Sequence, residues 1–108
     1  MEVKSMQDKR NMFLLLGCYA NDLKLMLQEE TKTNIQDYGE PFHSIIFGAL
    51  YNLAKKGYPK ATSVELETEI SVFNNCLDIY NKNNGQEYIE LAIEETQDKL
   101  LNAKYYRD

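Results

Sequence analysis

The side chains to weigh first for chemistry are one histidine, two cysteines and several paired carboxylates in a chain of 108 residues. His43 could serve as a general base, and the nearest hydroxyl is that of Ser44 beside it. It follows Pro41 by two residues, however, in the first turn of the best helix, so packing or capping is the simpler role. Glu29-Glu30 and Glu94-Glu95 are adjacent pairs that diverge by about 100° on a helix and cannot clamp one substrate atom. They are read as solvated faces. A nucleotide-hydrolysing site would need a glycine-rich loop whose amides cradle phosphates, and neither GxxxxGK[ST] nor GxGxxG occurs. Cys18 and Cys76 lack ligand spacing to each other and to His43, so no metal or other cofactor is expected in this chain. No catalytic residue is assigned, and the chain itself is not expected to be an enzyme.

Tyrosine is the residue type in excess. About half of the eight are expected in the core, while Tyr105 and Tyr106 stand together near the end of the sequence. An aromatic ring covers a large area while its hydroxyl tolerates water, which suits a protein contact. Leu101, Tyr105 and Tyr106 are therefore the candidate interface residues.

The elements that must position these residues read as helices. Five glycines and two prolines punctuate the sequence, and no repeat or low-complexity linker appears. Phe13, Leu16, Gly17 and Ala20 share one helical face that Leu14 and Leu15 widen, predicting a helix buried nearly all round. Asn21-Asp22 breaks it, and a short second helix follows through Leu23, Met26 and Leu27. From Pro41 to Lys56 the apolar residues keep helical spacing throughout. Pro41 suits the first turn, Gly57 a left-handed cap, and Pro59 prevents continuation. Thr62 and Glu65 form a capping box, and Phe73, Cys76, Leu77 and Tyr80 share a face of a further helix. Asn84 and Glu87 repeat the capping pattern before Tyr88 to Thr96. Leu100 to Tyr105 begin a helix with no stop signal.

The resulting expectation is an all-α fold, a compact orthogonal bundle of about six short helices that ends in the start of a truncated helical hairpin. Residues 1–11 would be a polar lead, 12–98 a helical head and 99–108 the start of the hairpin helix. The net charge of −5 disfavours nucleic acid and anionic membrane surfaces as partners. The imbalance is local, because Glu65 to Asp98 holds nine carboxylates against Lys82 alone. Met12 to Leu16, the longest apolar run, is far too short to span a bilayer. Two distant cysteines among apolar neighbours fit buried thiols in a reducing compartment, so a cytoplasmic location is expected.

Three stretches together resemble the N-terminal domain of DnaB-type replicative DNA helicases. Leu14-Leu15-Leu16-Gly17-Cys18 is similar to the family's leucine-leucine-glycine helix. The segment from Phe42 to Pro59, with its histidine, isoleucine-phenylalanine pair, leucine and terminal glycine-x-proline, is similar to the central helix. Asn84-Gly85 before Tyr88-Ile89 looks like the start of a later helix. The likeness covers about residues 12–96. It departs at Lys60-Ala61, where the family often places Asp, and at Asn84-Gly85, departures that fit a phage or low-GC Gram-positive branch.

The resemblance implies a non-catalytic interaction domain of a hexameric, ATP-driven helicase. In that family the head and a following hairpin self-associate into a collar that receives primase and, in some systems, the helicase loader during DNA replication. ATP and Mg would belong to the motor domain of the parent protein, as would contact with DNA. The alternative is a free-standing helical adaptor or regulator of phage or bacterial replication.

Overall fold

Helix formation here follows the local signals closely where those signals involve neighbours three or four residues apart. The structure is a computed structural model describing residues 9–73 and 75–107; the side chain of Leu101 and residues 1–8 of the expected polar lead lie outside the described residues. It is all-α, with six α-helices and no strand among the described residues. These are α1 (Lys9–Asn21), α2 (Pro41–Lys55), α3 (Ser63–Ile70), α4 (Cys76–Lys82), α5 (Gly85–Thr96) and α6 (Ala103–Arg107). Three 3-10 turns, Leu23–Leu27, Ile35–Asp37 and Leu100–Asn102, join them.

The apolar run of α1 is buried without a break from Leu14 to Ala20. Its main neighbour is α5, and the approach is close because Gly17 has no side chain. A Cβ at that position would stand 2.3 Å from the Ala92 carbonyl oxygen and 2.7 Å from Thr96 Oγ1. The polar groups at this crossing satisfy one another. Asn21 Nδ2 donates to the Ile93 carbonyl at 2.9 Å and lies 3.0 Å from Thr96 Oγ1, which itself donates to the Ala92 carbonyl at 2.7 Å.

At the end of α2 the predicted stop is present in full. Gly57 takes φ +93°, its N–H bonds the Ala54 carbonyl at 3.0 Å, and the Tyr58 N–H bonds the Leu53 carbonyl at 3.1 Å. The loop that follows is stitched to the end of α1 by Leu23 N–H to the Pro59 carbonyl and Ala61 N–H to the Ala20 carbonyl, both at 2.9 Å. The Thr62 capping box also forms, with the Glu65 carboxylate accepting from the Thr62 N–H at 2.7 Å. Those bonds from Thr62 hold the Glu65 carboxyl below its ordinary value. Leu15, Ile46, Leu50 and Leu66 meet in the interior with almost no exposure.

Four local expectations change. The second segment is a 3-10 turn capped by Asp22, which accepts from the Lys24 N–H at 3.3 Å. Phe73 lies before α4 in a turn and is exposed, because α3 ends at Ile70 and the chain must reverse before Cys76. Asn84 does not cap α5 with its side chain. It adopts the left-handed conformation at φ 56°, which the short turn from α4 into α5 requires and which Asn tolerates. The residue after it must be small, since a Cβ on Gly85 would stand 2.3 Å from the Tyr80 ring. Finally, Lys9 to Asn11 of the expected lead belong to α1. The last described segment forms α6, which packs on α1 with Ala103 buried.

Candidate interaction surface

An apolar groove runs along one side of α2. Its volume is about 580 Å³, within the range of ordinary binding pockets. Ile45, Phe47, Gly48 and Tyr51 of α2 form its length, Ile70, Phe73 and Cys76 close one side, and the 32–35 segment forms the other. The aromatic rings along α2 support one another. Tyr38 stacks on Phe47 with centroids 4.7 Å apart, and Phe47 faces Tyr51 at 6.0 Å with the rings 9° from parallel. Lys55 Nζ sits 4.9 Å above the Tyr51 ring, so a cation marks that end of the groove.

The wall formed by residues 28–38 is pinned from beneath. The Tyr19 hydroxyl donates to the Thr31 carbonyl at 2.5 Å and lies 3.0 Å from Thr33 Oγ1, which in turn lies 2.8 Å from the Tyr38 hydroxyl. Burial pushes the Tyr19 hydroxyl up to about 12 and Tyr38 well above its ordinary value, so both remain protonated donors at neutral pH. Thr31 Oγ1 donates to the Leu25 carbonyl at 2.6 Å, and the Arg107 guanidinium of α6 donates to the Glu29 carbonyl at 3.0 Å. A loop held this way keeps the groove open without relying on an occupant.

Of the three candidate interface residues, the side chains of Tyr105 and Tyr106 are described. Tyr105 is 74% exposed, whereas Tyr106 is buried at 7% although the rings stand 5.9 Å apart. Consecutive helical positions point in different directions, and α6 lies on α1 with Tyr106 beneath it, so Tyr106 is a core residue here. The Leu101 side chain lies outside the described residues. Of the eight tyrosines, Tyr19, Tyr38, Tyr80 and Tyr106 are buried.

A second recess of about 320 Å³ is lined by residues that include Lys9, Asp37, Glu40 and His43. His43 is buried, and its Nδ1 lies 3.3 Å from Glu40 Oε1 without the alignment of a hydrogen bond. Burial holds its pKa below the ordinary value against the opposing pull of Glu40. Ser44 is committed elsewhere, its hydroxyl donating to the Tyr38 carbonyl at 2.6 Å, so the two do not form a nucleophile and base. Among the described residues no three His, Cys, Asp or Glu side chains group to hold a metal ion. Cys18 is buried, its thiol pushed up to about 11 by burial, whereas Cys76 is half-buried at the groove edge. The sequence reading missed the groove because its lining comes from four separated segments; Gly48 between Ile45 and Tyr51 was the one local sign of an open helix face.

Fold and surface together define an all-α domain with an open apolar groove. No protein-family model and no solved structure matches the chain. It is similar to an uncharacterized SPbeta prophage-derived protein, YorI, of Bacillus subtilis (strain 168), with 33% identity over 99 residues that cover 86% of this chain. The chain spans 19% of the length of that curated relative. No helix among the described residues is long and apolar enough to cross a membrane.

Proposed function

We propose that the chain acts as the non-catalytic N-terminal head of a DnaB-type replicative helicase, self-associating in the collar of the hexamer and docking primase and, in some systems, the loader. The observation that carries the reading is the groove itself, an apolar surface of binding-site size held open by a hydrogen-bonded wall. Surfaces of this kind act by capturing another molecule's apolar side chains. Two further facts support it. The positions that carry the family likeness have clear structural work, Gly17 at the α1–α5 crossing and Gly85 against Tyr80. The curated relative is of prophage origin, and about four-fifths of it lies outside the matched stretch, room for a motor that would hold ATP and Mg. DNA replication in the cytoplasm is the setting this reading implies, with DNA contact left to the motor.

Calorimetric titration with the helicase-binding domain of the primase encoded in the same genome tests the proposal. Binding with a dissociation constant of about 10 µM or tighter is expected, without ATP hydrolysis and without salt-sensitive affinity for single-stranded DNA. Absence of primase binding at millimolar concentration overturns it. The free-standing adaptor draws its own support from α6, which closes over α1 and buries Ala103 and Tyr106. That reading expects no primase binding.

A further inference from the structure

The groove wall has anchors of unequal depth. Two are buried: the Tyr19 hydroxyl on the Thr31 carbonyl, and Thr31 Oγ1 on the Leu25 carbonyl. A third is exposed and comes from α6. Arg107 Nη1 donates to the Glu29 carbonyl at 3.0 Å and to the Lys32 carbonyl at 3.4 Å, two carbonyls of one turn. That turn is closed by the Thr31 and Lys32 N–H groups, which both bond the Gln28 carbonyl, and by the Lys32–Glu29 ion pair at 2.9 Å. Lys32 and the residues after it, Thr33, Asn34 and Ile35, line the groove. One guanidinium therefore ties α6 to the groove wall. The helix that carries it has little else to hold it. Five residues are too few to keep a helix formed in water without packing, so α6 depends on Ala103 and Tyr106 lying buried beneath it, on the side of α1. Elements of this kind open locally while the rest of the fold stays intact. Tyr105 is 74% exposed, which leaves the outer face of α6 open to contact.

We infer that α6 is a releasable latch on the groove. Docked, it holds the 28–32 turn through Arg107 and keeps the wall where an apolar occupant meets it; undocked, it frees the turn, and the groove loses affinity. Linkage makes the effect reciprocal, so an occupant resting on the wall tightens α6 by the same factor that α6 tightens the occupant. A contact that draws α6 off α1 is then felt at the groove, and binding in the groove is felt at α6. The latch rests on the groove being the working surface of the proposed function, as the regulation of that surface, and not on primase as its occupant.

Backbone hydrogen exchange of the full chain, read amide by amide by nuclear magnetic resonance, tests it. In Arg107→Met, which keeps a side-chain stem and removes the donor, the Thr31 and Lys32 amides are expected to exchange at least about threefold faster, with the Ser71 amide at the end of α3 unchanged. Tyr105→Ala, on the exposed face of the same helix, should leave all three as in the wild type. The reverse direction uses N-phenylmaleimide as the occupant. Cys76 stands at the groove edge and Cys18 is buried, so the adduct at Cys76 seats a phenyl ring in the groove. It should slow exchange of the α6 amides at least about threefold in the wild type and leave them unchanged in Arg107→Met. If Cys76 does not react, Gly48→Met fills the groove from α2 itself, since a Cβ there meets nothing nearer than Ile35 Cδ1 at 3.9 Å. Wall amides that exchange alike with and without the Arg107 guanidinium overturn the inference. So does a filled groove that leaves α6 unslowed, or one that slows α6 equally in Arg107→Met. No primase enters the experiment, so the latch and the helicase reading fail separately.

Discussion

α1 and α2 are helices of similar length, 13 and 15 residues, each with an apolar stretch around a glycine, yet they end in opposite situations. α1 has α5, α6 and the 3-10 turn after it as neighbours, and every residue from Leu14 to Ala20 is buried. α2 is covered along the side that carries Ile46, Leu50 and Leu53, while Ile45, Gly48 and Tyr51 border the groove and stay partly exposed. The difference lies in what each glycine meets. At Gly17 another helix backbone fills the space a side chain would need; at Gly48 the nearest atom is the tip of a flexible Ile35 side chain. An enclosed apolar helix holds the fold together, and one left open on a rigid scaffold offers a surface to something else.

The largest expected effect is at the enclosed crossing. Gly17→Ala places a methyl group 2.3 Å from the Ala92 carbonyl oxygen, and backbone cannot swing aside as a side chain can. The helices must separate, which strains the bonds of Asn21 and Thr96 as well. Against a gain of about 1 kcal/mol in helix propensity, we expect a net loss of about 3 kcal/mol, read as a lower urea midpoint. An unchanged midpoint would mean that α1 and α5 do not approach this closely.

The same substitution in the open helix has the opposite sign. Gly48→Ala keeps helical backbone, meets only Ile35 Cδ1 at 3.9 Å and removes the entropic cost of glycine. A gain of about 0.5–1 kcal/mol is expected in the same urea experiment. A loss would show that the groove is closed in solution by its own wall.

This contrast also marks what could be read from sequence. Both ends of α2, the Thr62 capping box and the burial of Leu15 and Leu50 were legible, because each rests on residue type and on neighbours within one or two helical turns. Tyr106, a candidate interface residue, is buried in α6, and Phe73, expected on a helix face, is an exposed wall of the groove. Both depend on which distant helix covers the segment. Asn84 carried a real local signal that was assigned to the wrong device, since asparagine serves both a side-chain cap and a left-handed turn. The groove needed Ile35, Gly48, Phe73 and Cys76 to be placed side by side, which no periodicity records.

The smallest expected effect sharpens the comparison within α2 itself, at the end that α5 covers. His43 packs against Phe42 and Tyr88 of α5, with Glu40 at 3.3 Å and Lys9 paired to Glu40 at 3.1 Å as the charged groups around it. Burial penalises the imidazolium more than Glu40 favours it, so the folded pKa lies below the ordinary histidine value. The unfolded chain therefore binds the proton first. Stability is complete above the unfolded pKa and falls as pH drops from there toward the folded pKa, where the loss levels off. The carboxyls held low, Glu29, Glu40 and Glu65, act at more acidic pH and leave this window to His43. Because Glu40 offsets part of the burial penalty, the fall should be slight. Urea midpoints from pH 7 to pH 5 should show it in the wild type and not in His43→Gln. An equal fall in both chains would place the titrating group elsewhere and leave the covered end of α2 as insensitive to protons as the open one.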